Sequence, residues 1–379
     1  MSFDIRTPWT ATVGSIRVVF GNGSLRELSS LVDWLGCRRI LLVTDPGIRS
    51  SGHVDAALEH LGEERVAVAV FDDVDENPTT EHVEAGLLVA RDHGPDLIVG
   101  LGGGSAMDCA KGINFLLTNG GKMADYWGEG KAQHPMLPTI GIPTTAGTGS
   151  EAQAFALIAN AQTHEKMACG SEGARFRGVI LDPELTRTVP RVVAIAAGID
   201  AISHAVESYV TTDSNLISRI YARQAWRLLT RHFPGSIEEP DEYTLAAMLL
   251  GAYLAGAAID CSMLGAAHAC ANPLTANYGV THGVAVGLML PHVVRFNELV
   301  ASSLYVELDS AAPGPSNGVA GRFADLWSCT GLASRLRDHG VEEGALKQLA
   351  REASRQWTAS FNPRPVDKAE LLELYRAAF

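Results

Sequence analysis

The alternation in the first half of the chain is the strongest constraint on its fold. Short runs of β-branched and aliphatic residues occur at Arg17–Phe20, Ile40–Thr44, Val66–Phe71, Leu97–Gly100 and Thr139–Ile142. Stretches with helical periodicity separate them, at Leu25–Leu35, Val54–Leu61, Glu81–Asp92 and Ala106–Leu117. The turns Asp45-Pro46-Gly47, Glu76-Asn77-Pro78 and His93-Gly94-Pro95 mark several of the changes. Strand followed by helix followed by strand implies parallel pairing, because a parallel connection needs a crossover long enough to hold a helix, and it places helices on the sheet faces. After Asp182-Pro183 the strand patterns give way to Ala/Leu-rich helical ones, with breaks expected at Pro234-Gly235, Glu239-Pro240, Pro273, Pro291 and the Pro313–Gly318 loop. The expected architecture is an α/β nucleotide-type domain, residues 1–187, followed by an all-helical domain, residues 188–379. No internal repeat or low-complexity segment is evident.

A length of 379 residues, 46% of them hydrophobic, is enough for two cores. The net charge of −13 argues against nucleic acid and anionic membrane surfaces as partners, since both require a basic face. Six scattered cysteines form no CxxC pair and no disulfide framework, which suits a reducing, cytoplasmic setting. The start, MSFDIRTPWT, has no basic segment followed by an apolar run, so no secretory signal is expected. Leu245–Ile259 is uncharged but shorter than the roughly 20 residues that a membrane span needs, and is read as a buried helix.

Three segments carry chemistry. The first is Gly100-Leu-Gly-Gly-Gly-Ser105-Ala-Met-Asp108, which follows an apolar run and opens a helix. Glycines there let a backbone approach a ligand, and the free N–H groups of a helix start suit a diphosphate. Ser105 and Asp108 also fit a capping box, S-x-x-D, which the helix would need with or without a phosphate. The loop follows a later strand than the usual dinucleotide fingerprint does, so an ordinary Rossmann arrangement is not expected. Asp45, at the end of Ile40–Thr44, is placed to accept hydrogen bonds from ribose hydroxyls and to repel a 2′-phosphate, favouring NAD over NADP; a turn-forming Asp before Pro46-Gly47 is the plain alternative. The second segment, Pro143-Thr-Thr-Ala-Gly-Thr-Gly-Ser150-Glu151, is dense in small hydroxyls and glycines and can wrap a ribose or phosphate.

The third is a candidate metal constellation. Asp200 and His204 stand four residues apart in Gly198-Ile-Asp-Ala-Ile-Ser-His-Ala-Val-Glu207, which on a helix puts both on one face about 5–6 Å apart at Cβ. His268 and His282 follow, 14 residues apart; a single histidine can be an ordinary core residue, but His204 and His268 both sit in otherwise apolar helices, where an imidazole needs partners. One carboxylate and three neutral imidazoles suit Fe²⁺ or Zn²⁺ and disfavour Mg²⁺ and Ca²⁺. Such an ion acidifies an alcohol and polarises an aldehyde carbonyl, the two directions of hydride exchange with a nicotinamide.

Taken together, GGGSAMDCAK at 102–111, PTTAGTGSE at 143–151, GIDAISHAVESYV at 198–210 and HACANPL…THGVAVGLMLPHVVRFN at 268–297 resemble the iron-containing (group III) alcohol dehydrogenase family. Asn77-Pro78 and Asn362-Pro363-Arg364-Pro365 also look like its pattern, so the resemblance runs essentially end to end. It implies an NAD(H)-dependent dehydrogenase of small primary alcohols and aldehydes with Fe²⁺, or Zn²⁺, held by Asp200, His204, His268 and His282. It also implies cofactor contacts from Asp45, Asn77, Gly103, Gly104, Ser105, Asp108, Thr144, Thr145, Thr148 and Lys166. Members of the family often form dimers, so a homodimer or higher homo-oligomer is expected. Many members carry a further histidine, assigned to substrate binding or proton transfer, where this chain has Asn272. Asn272 therefore stands with His268 and His282 as a candidate catalytic residue, and the proton route stays open. Distant relatives of the same fold, glycerol-1-phosphate dehydrogenases, dehydroquinate synthase-like lyases and maleylacetate reductases, take phosphorylated or acidic substrates. The absence of Lys and Arg from 198–210 and from 254–294 speaks against a phosphorylated substrate.

Overall fold

The computed structural model describes residues 4–62, 66–163 and 165–379. The chain forms two compact units: one takes the residues up to Thr145 together with Ser150–Val189, the other takes Ala146–Gly149 and Pro190–Phe379.

In the first unit the order is β1 (Trp9–Val13), β2 (Ile16–Phe20), α1 (Leu28–Leu35), β3 (Arg39–Val43), α2 (Pro46–Ser50), α3 (His53–Leu61), β4 (Ala67–Phe71), α4 (Thr80–His93), β5 (Leu97–Gly102), α5 (Gly104–Asn119), β6 (Gly128–Glu129), β7 (Thr139–Pro143), β8 (Phe155–Ala159), β9 (Lys166–Gly170) and β10 (Gly178–Leu181). Seven strands form one sheet in the order β1-β2-β10-β7-β5-β3-β4, and β6-β9-β8 form a second, smaller sheet. The large sheet is parallel except for the β1–β2 edge hairpin, where Trp9 stacks on its register partner Phe20.

The period of two along each strand sorts side chains between the two faces. Ile40, Leu42, Val99 and Leu101 pack with Leu28 and Leu31 of α1 and Val54 and Leu61 of α3. Leu41, Val43 and Ile98 point the other way, onto Val83 and Leu87 of α4 and Ile113 and Leu116 of α5. A sheet covered on both faces needs continuous apolar strands, and β5, β7 and β10 are buried along their whole length.

The five strand patterns and four helix patterns read from the first half all form. The sequence reading missed β1, β10 and the small sheet. Strands β8 and β9 (FALIA and KMACG) are rich in Ala and poor in β-branched residues, which hides them from propensity.

The second unit contains α6 (Arg191–Val210), α7 (Leu216–Glu238), α8 (Glu242–Asp260), α9 (Ala266–Tyr278), α10 (His282–Asp309), α11 (Gly318–Ser328), α12 (Leu346–Ala353) and α13 (Lys368–Ala378), and no strand among its described residues. Three of these helices, α6, α8 and α10, are long and apolar enough to cross a membrane, and their most apolar windows are 78, 67 and 56% buried inside the chain. The uncharged 245–259 stretch is thus the middle of α8, packed in the helical core. Pro234, Pro273 and Pro291, expected to end helices, lie inside α7, α9 and α10. A proline removes one backbone hydrogen bond, and burial of the surrounding turns in one apolar core outweighs that loss here. The non-helical residue within α10 is Ala301, not a proline.

Candidate metal and dinucleotide sites

Helix α6 carries Asp200 and His204 one turn apart, α9 carries His268 near its start, and His282 is the first residue of α10. One oxygen lies at the centre of this group: Asp200 Oδ1 stands 3.4 Å from His204 Nε2, 3.5 Å from His268 Nε2 and 3.9 Å from His282 Nε2. The His204 and His268 rings stack with centroids 4.9 Å apart, and His282 lies tilted 5.5 Å beyond. Asp200, His204 and His268 are buried, and His282 keeps about a quarter of its side chain exposed. Ligand atoms of Asp200, His204 and His268 lie within 4.8 Å of one another.

The donor set fits a divalent ion on its own chemistry. Asp200 Oδ1 and His268 Nε2 are buried, face each other and make no hydrogen bond. Leaving such atoms unsatisfied costs roughly 1–3 kcal/mol each, more when charged, unless something binds them. Burial drives the His204 imidazole down to about 4, so it is neutral and able to donate a lone pair. Burial pushes the Asp200 carboxyl upward, but the nearby His204, His268 and His282 outweigh it and hold the group well below the usual carboxylate range. For His268, burial opposes the charged form, and Asp200 and Glu207 overcome it, raising this imidazole to about 9 in the protein alone.

Glu207 was not among the candidates read from the sequence. It lies on the same face of α6 as Asp200 and His204, seven and three residues further on, and its Oε2 is 2.5 Å from His268 Nδ1. The spacing D-x3-H-x2-E was the available signal.

A glycine makes the packing of this site possible. A Cβ on Gly283 would stand 2.0 Å from the Ala196 carbonyl oxygen and 3.1 Å from Asp200 Cβ, so α10 crosses α6 at backbone contact. We expect Gly283→Ala to cost about 1–3 kcal/mol, as overpacking does, and to weaken metal binding by moving His282. Urea unfolding and a metal titration check the two effects separately.

The cofactor candidates gather at the carboxyl ends of three neighbouring strands in the first unit. Asp45 follows β3, Gly103, Gly104 and Ser105 follow β5, and Thr144 and Thr145 follow β7. The strand order reverses between β3 and β5, the point at which open α/β sheets take ligands. Helix α5 starts at an N-cap, Gly103, with no side-chain cap, so its first N–H groups are available for an anion. Gly102 has φ of +151°, and a Cβ there would meet Ala106 Cβ at 2.8 Å and Asp45 Oδ2 at 3.3 Å. Thr144 Oγ1 is buried without a partner. Uncapped N–H groups, a cradle without Cβ atoms and an orphaned hydroxyl fit a diphosphate-bearing ligand.

Asp45 Oδ1 accepts a hydrogen bond from the Ile48 N–H at 2.9 Å and caps α2, so the turn-forming alternative is realised, while Oδ2 faces Gly102. Asn77 adopts φ of 57°, and its N–H donates to Ser105 Oγ at 3.2 Å.

The Ser105–Asp108 capping box does not form. Both residues lie inside α5, and Asp108 instead accepts a hydrogen bond from Ser150 Oγ at 2.5 Å. Asp108 is buried beside Lys111 and braces the second loop from within. Burial raises its carboxyl above the ordinary range against the pull of Lys111, Ser150 and the more distant Lys166. Thr148 belongs to the Ala146–Gly149 segment that packs with the helical unit, where Gly149 meets Gly256 so closely that a Cβ would stand 2.5 Å from the Gly256 Cα. Lys166 opens β9. Asn272 lies one turn after His268 on α9, and its Nδ2 donates to Gln356 Oε1 at 2.9 Å.

Comparison with known proteins shows the family. The family model described as iron-containing alcohol dehydrogenase matches residues 15–183, and that of the Fe-containing alcohol dehydrogenase family, C-terminal, matches 194–379. Alcohol dehydrogenase 4 of Schizosaccharomyces pombe is 34% identical over 371 residues, covering 95% of this chain and 87% of that protein. A crystal structure of 1,3-propanediol oxidoreductase superposes with a TM-score of 0.93 at 32% identity, covering 98% of this chain and 99% of the other. Sulfoacetaldehyde reductase from Bifidobacterium kashiwanohense, solved in complex with NAD+, gives 0.86 at 27% identity, covering 98% of this chain and 99% of the other. The chain belongs to the iron-containing alcohol dehydrogenase family.

Proposed function

We propose that this oxidoreductase exchanges a hydride between small primary alcohols or their aldehydes and NAD(H), with Fe²⁺, or alternatively Zn²⁺, held by Asp200, His204, His268 and His282. The observation that carries the reading is the set of three Nε2 atoms around Asp200 Oδ1, two of the four side-chain atoms being buried with no hydrogen bond. The bound ion supplies Lewis acidity toward the oxygen of an alcohol or aldehyde.

The chain's own residues do the rest. Asp200 provides the one negative charge among the four ligands, and the imidazoles of His204, His268 and His282 are neutral donors, so the ion with its four ligands carries a net charge of about plus one. The exposed edge of His282 leaves one side of the site open to substrate. Asn272, tied to Gln356, is a neutral amide that neither takes up nor releases a proton near neutral pH, so it does not relay a substrate proton. In the first unit, Gly103, Gly104 and Ser105 bind the diphosphate at the start of α5, with Thr144 and Thr145 from the second loop, while Asp45 and Asn77 stand beside the glycine loop and Lys166 contributes a cationic contact. The surroundings of the four candidate ligands hold no Lys or Arg between 198 and 210 or between 254 and 294, which favours neutral substrates over phosphorylated ones. Six free cysteines accord with a cytoplasmic enzyme. We take the working form to be a homodimer, which sedimentation of the metal-loaded protein tests.

The direct test is NADH formation at mildly alkaline pH across short-chain alcohols and diols. Turnover of neutral alcohols supports the reading; turnover of phosphorylated or acidic substrates alone overturns it. The coenzyme preference gives a second expected outcome. Asp45→Ser keeps a helix cap but removes the negative charge beside the glycine loop. It should improve kcat/KM for NADP about tenfold or more, because like-charge juxtaposition costs several kcal/mol. Kinetics with both coenzymes reads this directly, and an unchanged NADP/NAD ratio would show that Asp45 serves only α2.

A further inference from the structure

The start of α9 is built in an unusual way. Its N-cap is Gly265, which has no side chain to cap the helix, and His268 is the third residue of that helix. The first three N–H groups are satisfied from elsewhere. Ala266 N–H donates to Asn362 Oδ1 at 3.3 Å, Ala267 N–H to Glu207 Oε1 at 2.7 Å and His268 N–H to Glu207 Oε2 at 3.4 Å. A Cβ at position 265 would stand 2.9 Å from Glu207 Oε1 and 3.0 Å from Asn362 Oδ1, so glycine there admits both groups. Asn362 is itself held by a reciprocal amide pair with Asn297 of α10, at 2.8 and 3.0 Å, and donates to the Arg364 carbonyl at 2.6 Å. Arg364 in turn lies over the Phe296 ring at 3.7 Å and donates to the Phe296 carbonyl at 3.0 Å. All of Glu207, Asn297 and Asn362 are buried.

We propose that Glu207 and Asn362 are positioning residues for His268. Together they clamp the N-terminus of α9 and fix the His268 tautomer, so that Nε2 faces the metal position. The Asn362-Pro363-Arg364-Pro365 segment serves to deliver that amide. The inference rests on the metal reading of Asp200, His204, His268 and His282. Glu207 Oε2 lies 2.5 Å from His268 Nδ1, so when a metal takes the place of the Nε2 proton the remaining proton stays on Nδ1 and the Nε2 lone pair, 3.5 Å from Asp200 Oδ1, is turned to the ion. The same carboxylate accepts two helix N–H groups and lies against the positive end of the α9 dipole, so one buried charge sets both the ring and the backbone that carries it. Asn362 sets only the backbone. The two residues therefore separate in experiment: losing Glu207 frees both the tautomer and the helix start, whereas losing Asn362 loosens the helix start alone.

The test uses the full chain stripped with chelator, with Zn²⁺ affinity measured by chelator competition and the visible spectrum of the Co²⁺-loaded protein as the second readout. Glu207→Gln should weaken Zn²⁺ binding by roughly 10–100-fold, the range for partners of metal-bound histidines. It should also alter the Co²⁺ bands. Asn362→Ala should shift both readouts in the same direction by less. A purely structural role would lower the melting temperature of the metal-free protein yet leave affinity and spectrum at parent values in both variants, and that result overturns the proposal. If Glu207→Gln does not fold, Asn362→Ala decides, since parent-like Zn²⁺ affinity and Co²⁺ bands in it would remove the clamp. If the parent chain binds neither Zn²⁺ nor Co²⁺, the metal reading itself fails, a result distinct from parent binding with indifferent variants.

Discussion

His268→Ala is expected to reduce metal-dependent alcohol oxidation to background while leaving a folded protein. The substitution removes one of the two buried atoms that face each other without a hydrogen bond, and it leaves Asp200 and Glu207 without the imidazole that lies between them. Loss of a direct donor should exceed the roughly 10–100-fold that loss of an outer partner costs in affinity or activity. The helix itself should persist, because Ala is the strongest helix former and the Ala267 N–H keeps its bond to Glu207. Steady-state NADH formation with a saturating divalent metal, alongside circular dichroism, separates loss of the site from loss of the fold. Parent-like turnover in His268→Ala would remove this residue from the mechanism.

Lys111→Met is expected to destabilise the first unit by about 3–5 kcal/mol, the cost of breaking a buried ion pair by removing one partner. Lys111 is fully buried. Its Nζ donates to the Ser150 carbonyl at 2.8 Å, Ser150 Oγ at 3.0 Å and the Phe155 carbonyl at 2.7 Å, lies 3.7 Å from Asp108 and sits over the Phe176 ring at 5.1 Å. Methionine preserves most of the volume, so the loss is of charge and hydrogen bonds and not of packing. Asp108 is then a buried carboxylate with the Ser150 hydroxyl in place of a cation. Because Ser150 ends the hydroxyl-rich loop after β7, NAD affinity should fall together with stability. Adding Asp108→Asn to Lys111→Met should recover part of the lost stability, since the stranded charge is gone; additive losses in the double-mutant cycle would refute the coupling. Urea unfolding of the four proteins provides the numbers.

What could be read from the residues follows from how local each signal is. Parallel strands buried on both faces announce themselves as apolar runs, and the spacing of Asp200 and His204 fixes a shared helix face without any tertiary knowledge. Ser105 and Asp108 show the limit. The pattern S-x-x-D is the same whether the acid caps its own helix or turns inward to a residue 42 positions away, and the second case is the one that occurs. Pro273 and Pro291 show it again, since proline's cost is local but the core that absorbs it is not. Glu207 lies on the ligand face of α6, but no local signal marks its role, because its partner, the His268 ring, lies 61 residues away. The closeness of Gly283 to Ala196 and of Gly149 to Gly256 likewise arises only when helices cross or a loop settles on one.

In the proposed mechanism Asp200, His204, His268 and His282 hold one divalent ion on which turnover depends. The most direct measurement is an anaerobic titration of chelator-stripped protein with Fe²⁺, following bound metal and NADH formation from a short alcohol in the same samples. Activity should rise linearly from near zero and saturate at one ion per chain, and the same titration of Asp200→Ala should show neither step. Full turnover in stripped protein, or saturation with one ion per chain and no gain in activity, would contradict the account.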